Sequence, residues 1–185
     1  MNQRKTEELG IGQAPNHSED SPGAGDLTIV QLDPREPRHA QALIDLLDEY
    51  AAGPTGRGYG LDEEVRTRLP QLLAHKPHYV GWLAFIDGQA AGVVNCFEGV
   101  STFRAEPLLN IHDIAVSPRF QRRGIATALL AAVERQARAT GCCKITLEVL
   151  EGNVSAVAAY LKTGFEPYEL DPAMGRAMFF ERKFY

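Results

Sequence analysis

The chain has 185 residues, a hydrophobic fraction of 44%, a charged fraction of 23% and a net charge of −5 at pH 7. This length and composition suit one globular domain with a full-sized core, and the acidic balance argues against a general nucleic-acid-binding protein. Cys96, Cys142 and Cys143 lack the paired spacing of a zinc site, and no apolar stretch reaches the ~20 residues that a membrane-spanning helix needs.

The beginning of the chain, residues 1–26, is polar and has no periodic apolar positions. Such a segment buries too little apolar surface to fold, so we expect a flexible tail at 1–26 and a folded domain at 27–185. No apolar run follows its charged residues, so we expect no signal peptide. The odd number of cysteines gives no disulfide framework, and a reducing, cytoplasmic setting is the expected location.

The first part of the domain predicts a strand and two helices. The strand covers Leu27 to Leu32 and ends before Asp33-Pro34. A first helix then has apolar residues at helical spacing at Ala40, Leu43, Ile44, Leu47 and Tyr50. A glycine-rich connector at residues 53–60 leads to a second helix, whose apolar face is Leu61, Val65, Leu69, Leu72 and Leu73. The connector only weakly resembles a dinucleotide-binding loop, because it follows a helix instead of a strand.

A hairpin and a further strand form the middle of the domain. The apolar runs at residues 79–86 and 90–97 are joined by Asp87-Gly88, which is a strong hairpin signal. A loop is expected at residues 98–107, and the next strand runs from Leu108 to Val116.

A short glycine-containing turn after that strand indicates a binding site. It reads Gln121-Arg122-Arg123-Gly124-Ile125-Ala126, and it opens a helix that runs from about Arg123 to Gly141. The N-terminus of a helix has unpaired N–H groups and the positive end of the helix dipole. Small residues let a phosphate approach the backbone, and the two arginines add positive charge. The turn therefore predicts a site for a phosphorylated ligand.

The remaining elements are shorter. Lys144 to Leu150 predicts a strand that is buried on both faces, and a short helix runs from about Asn153 to Lys162 before Gly164 ends it. Two further strands are expected at residues 165–170 and 177–185.

Two motifs resemble those of the GNAT superfamily of N-acetyltransferases. One is the pattern Q/R-x-x-G-x-G/A at residues 121–126, and the other is N-x-x-A-x-x-x-Y-x-x-x-G-F at residues 153–165. Their separation and the order of strands also match, so the resemblance spans about residues 27–185. It implies an α/β fold with a central mixed, mostly antiparallel sheet of about six to seven strands. The sheet is expected to be splayed at strands 4 and 5 and flanked by about four helices.

The resemblance also implies an activity. We expect the transfer of an acetyl group from acetyl-CoA to a primary amine, with a small molecule favoured, by direct attack in a ternary complex. Two alternatives stay open at this point: a protein or peptide N-acetyltransferase, and a catalytically silent module that binds or senses acyl-CoA. Acetyl-CoA is the expected cosubstrate and no metal is expected. The expected partner is an amine, with no nucleic acid and no membrane. A homodimer is common in the superfamily, although the sequence carries no signature of one.

The resemblance assigns acetyl-CoA to three segments. A backbone N–H near residues 114–116, next to a strand bulge, is expected to hold the acetyl oxygen. The side chain of Asn153 is expected to bind the pantetheine arm, to cap its helix, or to do both. The full set implied to bind acetyl-CoA is Ile114, Ala115, Val116, Gln121, Arg122, Arg123, Gly124, Ile125, Ala126, Thr127, Asn153, Ala156 and Tyr160.

Two residues are expected to take part in the chemistry. Tyr160 matches the superfamily tyrosine that can protonate the leaving thiolate, although it could also be a core aromatic residue. Glu148 is the first choice for the general base, because ribosomal-protein alanine acetyltransferases of this superfamily use the glutamate of a matching Leu-Glu-Val segment. We expect Glu148 among buried apolar residues. Asp113 and His112 are rival bases, and strand alternation predicts that they point to opposite faces.

The sequence selects no particular amine. The walls of the acceptor site are expected to come from the connector at residues 53–60, the loop at residues 98–107 and the C-terminal strands. Their charged residues have both signs.

Overall fold

The structure is a computed structural model that describes residues 25–169, 171, 173, 175 and 177–184. Most of the expected tail, residues 1–24, therefore lies outside the described residues. The elements in chain order are β1 (Leu27–Gln31), α1 (Pro37–Ala52), α2 (Glu63–Ala74), β2 (Tyr79–Ile86), β3 (Gln89–Ser101), β4 (Glu106–Val116), a 3₁₀ turn (Pro118–Phe120), α3 (Ile125–Ala139), β5 (Ile145–Leu147) and α4 (Val154–Lys162).

The five strands form one sheet in the order β1-β2-β3-β4-β5. Neighbouring strands from β1 to β4 are antiparallel, whereas β5 runs parallel to β4. This arrangement confirms the predicted α/β fold with a mixed, mostly antiparallel sheet and four helices. The sheet has five strands in the described part of the chain, which is fewer than the six to seven expected.

The difference in strand number comes from the C-terminal segment. Residues 165–169 and 177–184 form no strand. Phe165 packs against the core of the α3 face, but Met178, Phe179, Phe180 and Phe184 are between 71% and 85% exposed. Strand-forming residues need a surface to pack against, and these four side chains have little of one. The expected loop at residues 98–107 is also mostly strand, because β3 and β4 remain paired as far as Ser101 and Glu106.

Two hydrophobic cores lie on opposite faces of the sheet. On one face α3 packs its buried residues Ile125, Leu129 and Val133 against the sheet, which contributes Val94 and Ile111. On the other face α1 and α2 pack against a second set of sheet residues, and the buried members of this core include Leu43, Leu47, Leu73, Leu83, Val93 and Ala115. Each fully buried leucine contributes roughly 1.5–3 kcal/mol, so both faces of β3 and β4 are firmly held.

The helix boundaries follow from local chemistry. The Glu36 side chain accepts hydrogen bonds from the N–H groups of Arg38 and His39, and Pro37 occupies the first turn of α1. Gly124 precedes α3 with a φ of 77° and Gly141 follows it with a φ of 71°. No helix among the described residues has the length and apolar character needed to cross a membrane.

Candidate active site

The site is a fork between β4 and β5. The two strands pair only at Leu109–Ile145, Asn110–Thr146 and Ile111–Leu147. The Asn110 Nδ2 group donates a hydrogen bond to Thr146 Oγ1 over 3.1 Å at this closed end. β5 ends at Leu147 while β4 continues to Val116, so the strands separate beyond Ile111. This is the splay that the sequence predicts between strands 4 and 5.

A β-bulge sits where the fork opens. Asn95 of β3 pairs with Asp113, whereas the next residue, Cys96, pairs with Ile111. His112 is therefore the extra residue on β4. A bulge of this kind lets two successive residues of one strand oppose one residue of its partner.

The bulge changes which backbone N–H groups reach the fork. Leu109 N–H donates towards β5, to Lys144 O at 3.1 Å, whereas Ser117 N–H donates towards β3, to Ala91 O at 3.0 Å. Successive N–H groups of a strand point to opposite edges, so the N–H groups of Ile114 and Val116 face away from β3. They point to the edge of β4 that is no longer paired with β5, where an acetyl oxygen could accept their hydrogen bonds.

A cavity of about 300 Å³ occupies the fork. Its walls come from β4, from the chain after β5, from α4 and from the end of α1. The lining residues are Tyr50, Thr55, Ile111, His112, Asp113, Ile114, Leu147, Glu148, Val149, Leu150, Asn153, Ala156, Tyr160 and Phe179.

Both rival bases line this cavity, and the expectation that they point to opposite faces is wrong. The His112 ring makes an edge contact with the Phe97 ring at 5.7 Å, and the Asp113 carboxylate accepts from Asn95 Nδ2 at 3.1 Å. Phe97 belongs to the α1/α2 face of the sheet. The bulge interrupts the normal alternation, and it therefore places His112 and Asp113 on the same face.

Glu148 lies at the mouth of the cavity and not in a buried strand. β5 covers only Ile145–Leu147, and Glu148 is exposed, as are Val149 and Leu150 at 40% and 68%. The expected strand at residues 144–150 is thus confirmed only at Ile145–Leu147, and its expected burial on both faces is wrong. Once the chain leaves β4, no strand among the described residues covers it. Glu148 still faces the cavity, but water reaches its carboxylate.

Tyr160 lines the cavity from α4. Its ring packs against Phe165 at 5.8 Å and joins the core on the α3 face. Burial, with a smaller contribution from Tyr50, raises the pKa of the Tyr160 hydroxyl. The group therefore stays protonated at neutral pH, as a proton donor must.

Asn153 caps α4. Its Oδ1 accepts a hydrogen bond from Ala156 N–H at 3.3 Å, and Ser155 Oγ donates to the same oxygen at 3.2 Å. The side chain also lines the cavity. The capping interpretation is thus visible, and the Nδ2 group is the part of Asn153 that could serve a ligand.

The turn before α3 forms a cationic cradle, which we define as residues 121–127. The first helical hydrogen bond runs from Ala128 N to Gly124 O at 3.0 Å, so the earlier N–H groups of the helix have no helical partner. Arg122 has a φ of 62° and Gly124 a φ of 77°, and both are exposed. Arg122 and Arg123 form no ion pair within the described residues, and Arg123 lies over the Phe120 ring at 5.6 Å. The cradle suits a pyrophosphate.

The α1–α2 connector borders the cavity through Thr55, next to Tyr50 of α1. It is anchored by Asp48, which accepts from Leu61 N–H at 2.7 Å and pairs with Arg66 at 2.8 Å. These two donors hold the pKa of Asp48 below its usual range. The β3–β4 turn, in contrast, has Phe103 92% exposed and does not line the cavity.

One polar network was not predicted from the sequence. Tyr79 Oη donates to Asn95 Oδ1 at 2.9 Å, and Asn95 Nδ2 donates to Asp113 at 3.1 Å. Asn95 is only 3% exposed. The signal available was a lone asparagine inside the apolar run of β3.

Other candidate chemistry is absent from the described part of the chain. No group of three or more metal-binding side chains occurs there. Burial raises the pKa of the Cys96 thiol to about 12, so it carries no thiolate at neutral pH. A more open groove of about 580 Å³, between the end of β1 and the end of α2, contains none of the predicted site residues.

Comparison with known proteins agrees with this geometry. A sequence model of the acetyltransferase (GNAT) family matches residues 40–165. Thialysine N-epsilon-acetyltransferase of Caenorhabditis elegans is 28% identical over 126 residues, which are 67% of this chain and 75% of that protein. Aminoglycoside N(6')-acetyltransferase type 1 of Salmonella typhimurium is 28% identical over 95 residues, which are 50% of this chain and 66% of that protein.

A solved structure shares the fold. The aminoglycoside N-acetyltransferase AAC(6')-Iy in complex with CoA superimposes with a TM-score of 0.68 at 20% identity. The alignment covers 88% of this chain and 99% of that one.

Proposed function

The chain belongs to the acetyltransferase (GNAT) family and is an N-acetyltransferase that uses acetyl-CoA, and we propose that its acceptor is a primary amine on a small molecule. Two relatives support this choice of acceptor, since they are named for thialysine and for aminoglycosides. The observation that carries the proposal is the fork cavity of about 300 Å³. A volume of this size matches small-molecule sites.

We infer that acetyl-CoA and the amine bind together. The cationic cradle follows the C-terminal end of β4, while Tyr50 and Thr55 line the cavity from the end of α1 and the connector. The two substrates would therefore approach one point from two directions. Asn153 and Ile114 both line the cavity, so Asn153 Nδ2 and the Ile114 N–H group are polar groups available to bound acetyl-CoA.

Acetyl-CoA supplies a thioester carbonyl, and the residues of the fork act on the groups around it. An N–H of Ile114 or Val116 donates to the acetyl oxygen, where negative charge develops as the amine attacks. The Tyr160 hydroxyl gives a proton to the departing thiolate, and it regains one from the solvent or from the positively charged nitrogen of the tetrahedral intermediate. Glu148, at the cavity mouth, accepts a proton from the amine directly or through water.

The exposure of Glu148 fits a base that works through water. Because its carboxylate is exposed yet borders the cavity, a water molecule can stand between it and the amine. Asp113 is more enclosed and is the alternative.

The proposal is tested by measuring the release of CoA from acetyl-CoA with a panel of amines. The panel contains thialysine, kanamycin, spermidine, free amino acids and a short peptide with a free N-terminus. We expect one of the small amines to give the highest kcat/KM. A preference for the peptide would instead indicate a protein N-acetyltransferase. Binding of acetyl-CoA with no turnover of any amine would indicate a silent acyl-CoA-binding module.

A further inference from the structure

A partly buried hydrogen-bond chain leads from β2 to the cavity. Tyr79 Oη donates to Asn95 Oδ1 over 2.9 Å, and Asn95 Nδ2 donates to Asp113 Oδ2 over 3.1 Å. The three residues belong to β2, β3 and β4 in turn. Only Asp113 borders the cavity.

The donor and acceptor roles along this hydrogen-bond chain follow from the chemistry of its groups. An ionised carboxylate only accepts hydrogen bonds, so the amide of Asn95 must present its NH₂ group to Asp113. The amide oxygen then faces Tyr79, which must donate. Burial raises the pKa of the Tyr79 hydroxyl, and the nearby Asp113 adds to this effect. The hydroxyl is therefore protonated, as this arrangement requires.

The hydrogen-bond chain engages one carboxylate oxygen of Asp113 and leaves the other available for a ligand. Asp113 Oδ2 is bound by Asn95, while Oδ1 has no hydrogen-bond partner in the described part of the protein. Asn95 is 3% exposed and cannot move without breaking the core around it. An isolated buried amide would cost about 1–3 kcal/mol, and an apolar residue would fill the position without that cost. A role in fixing Asp113 accounts for the amide.

We propose that Asn95 and Tyr79 are positioning residues, which hold Asp113 so that its Oδ1 takes a proton from the acceptor amine. This inference rests on the proposed function and adds Asp113 to Glu148 as a proton-accepting group of the same site. The ammonium loses one proton to Asp113, and the neutral nitrogen bonds to the acetyl carbon as the carbon–sulfur bond breaks. Of the two further protons, one stays on the amide product and one ends on the CoA thiol. Asp113 returns its proton to the solvent.

Several other ionisable groups surround Asp113. They come from every element that packs around it, namely Tyr50 from α1, Tyr79 from β2, Cys96 from β3, His112 from β4, Glu148 from the chain after β5 and Tyr160 from α4. His112 is directly next to Asp113 and lines the same cavity, so its imidazole is a second ionisable group whose influence on the profile has to be removed. Each pH profile is therefore repeated in a His112→Gln background.

The test is a double-mutant cycle with the best amine of the panel. We expect Asp113→Asn to lower kcat by roughly 100- to 1,000-fold, Asn95→Leu by roughly 30-fold and Tyr79→Phe by about fivefold. If Asn95 acts through Asp113, Asn95→Leu has little further effect in the Asp113→Asn background. The KM for acetyl-CoA should stay within about twofold of the wild type in every variant, because the cradle is untouched.

A pH profile separates positioning from a loss of folding. The Asp113→Asn enzyme should gain about tenfold in kcat/KM per pH unit, because it depends on amine that is already neutral in solution. Activity that is unchanged in Asp113→Asn, or fully additive losses in the cycle, would overturn the inference. The thermal midpoint of each variant shows whether it is folded, and Tyr168→Phe, which removes an exposed hydroxyl, is the control for Tyr79→Phe.

A second measurement needs no amine. In the wild-type protein the side-chain amide NMR signal of Asn95 should move as Asp113 titrates, and this movement should vanish in Asp113→Asn. An Asn95 signal that ignores pH would refute the inference even if CoA release is robust. Conversely, a signal that moves in a protein inactive with every amine would support the hydrogen-bond chain and refute only the proposed acceptor.

Discussion

Leu109 and Ser117 flank the His112 bulge on the same stretch of chain, and their N–H groups donate to opposite sides of it. Leu109 donates to Lys144 at 3.1 Å and Ser117 to Ala91 at 3.0 Å, although the two positions have the same parity. A regular strand would send both to the same edge. The bulge therefore determines which backbone donors the fork can offer to a ligand.

This relationship predicts an effect of single-atom changes in the backbone. Replacing Ile114 or Val116 by its α-hydroxy acid removes one N–H without changing the side chain. We expect kcat to fall by roughly 100- to 1,000-fold at the position that holds the acetyl oxygen, with little loss of stability.

The matched control is the same replacement at Ala115, whose N–H faces β3. There we expect a loss of about 1 kcal/mol in the free energy of unfolding and a nearly normal kcat. If the three α-hydroxy-acid variants have the same kcat, the N–H group that binds the acetyl oxygen lies elsewhere.

Gly124 and Gly141 offer a matched pair for the cradle. Both have left-handed φ values, 77° and 71°, and a Cβ atom added at either would meet no atom within 4 Å. Alanine at each should cost a similar ~1–2 kcal/mol in unfolding free energy. Only Gly124→Ala should also raise the KM for acetyl-CoA, by roughly fivefold or more, because its methyl group projects from the cradle. An equal rise in the KM for acetyl-CoA in Gly141→Ala would contradict the assignment of the cradle to acetyl-CoA binding.

Tyr160→Phe should lower kcat by about 10- to 100-fold and leave the KM for acetyl-CoA nearly unchanged. Because burial raises the pKa of the Tyr160 hydroxyl, the group stays protonated at neutral and mildly alkaline pH, and the wild-type enzyme should not lose kcat through it there. Steady-state kinetics from pH 6 to about pH 10 test both statements. A Phe variant with full kcat would leave Tyr160 a packing residue against Phe165.

Cys96 predicts a dependence of stability on alkaline pH. Its pKa rises from 9.0 to about 12 on folding. A raised pKa means that the contribution to stability is complete below about pH 9 and is lost as the pH increases towards 12. The slope from one such group is at most about 1.4 kcal/mol per pH unit.

Denaturant unfolding between pH 8 and pH 11 measures that slope. Cys96→Ala should be less stable at pH 8, because it leaves a cavity, and should show a shallower decline above pH 9. Cys142→Ala, which removes a partly exposed thiol, is the comparison. The assignment fails if the slope of Cys96→Ala equals that of the wild type.

Asp48 should affect the binding of the acceptor amine more than the binding of acetyl-CoA. It fastens the connector through Leu61 and Arg66, and the connector borders the cavity at Thr55. We expect Asp48→Ala to raise the KM for the amine several-fold, with the KM for acetyl-CoA unchanged. Asp45→Ala is the matched control, because Asp45 contacts Arg66 only at 3.7 Å and binds no connector N–H. Similar values in the two variants would count against a role for the connector.

Much of the fold followed from local patterns in the sequence. Helical spacing located the amphipathic faces of α1 and α3, and Asp87-Gly88 marked the β2–β3 turn, where both residues have positive φ. The predicted cradle lies at the start of α3 as expected, because a left-handed glycine before a helix is a local requirement. These features depend on a few neighbouring residues, so one sequence is enough to predict them.

The errors concern features that depend on residues distant in the chain. A bulge near residues 114–116 was expected from the family resemblance, but its position at His112, and with it the shared face of His112 and Asp113, depends on the pairing of β4 with β3. The exposure of Glu148 follows from how early β5 ends. The hydrogen bonds of Asn95 join three strands, so a pattern within one strand could not reveal them. The missing C-terminal strands likewise needed a packing surface that sequence alone does not supply.

The open edge of β4 has a consequence for self-association. Unpaired strand edges normally invite strands from other molecules, which leads to aggregation. Here the unpaired edge of β4 borders the fork cavity at Ile114, and α4 and residues 148–150 line the same cavity from the other side. An incoming strand would have to lie about 4.8 Å from β4, and these segments restrict the space at that distance. The fork leaves backbone N–H groups available to a narrow ligand, and it also hinders strand pairing between two molecules of this protein.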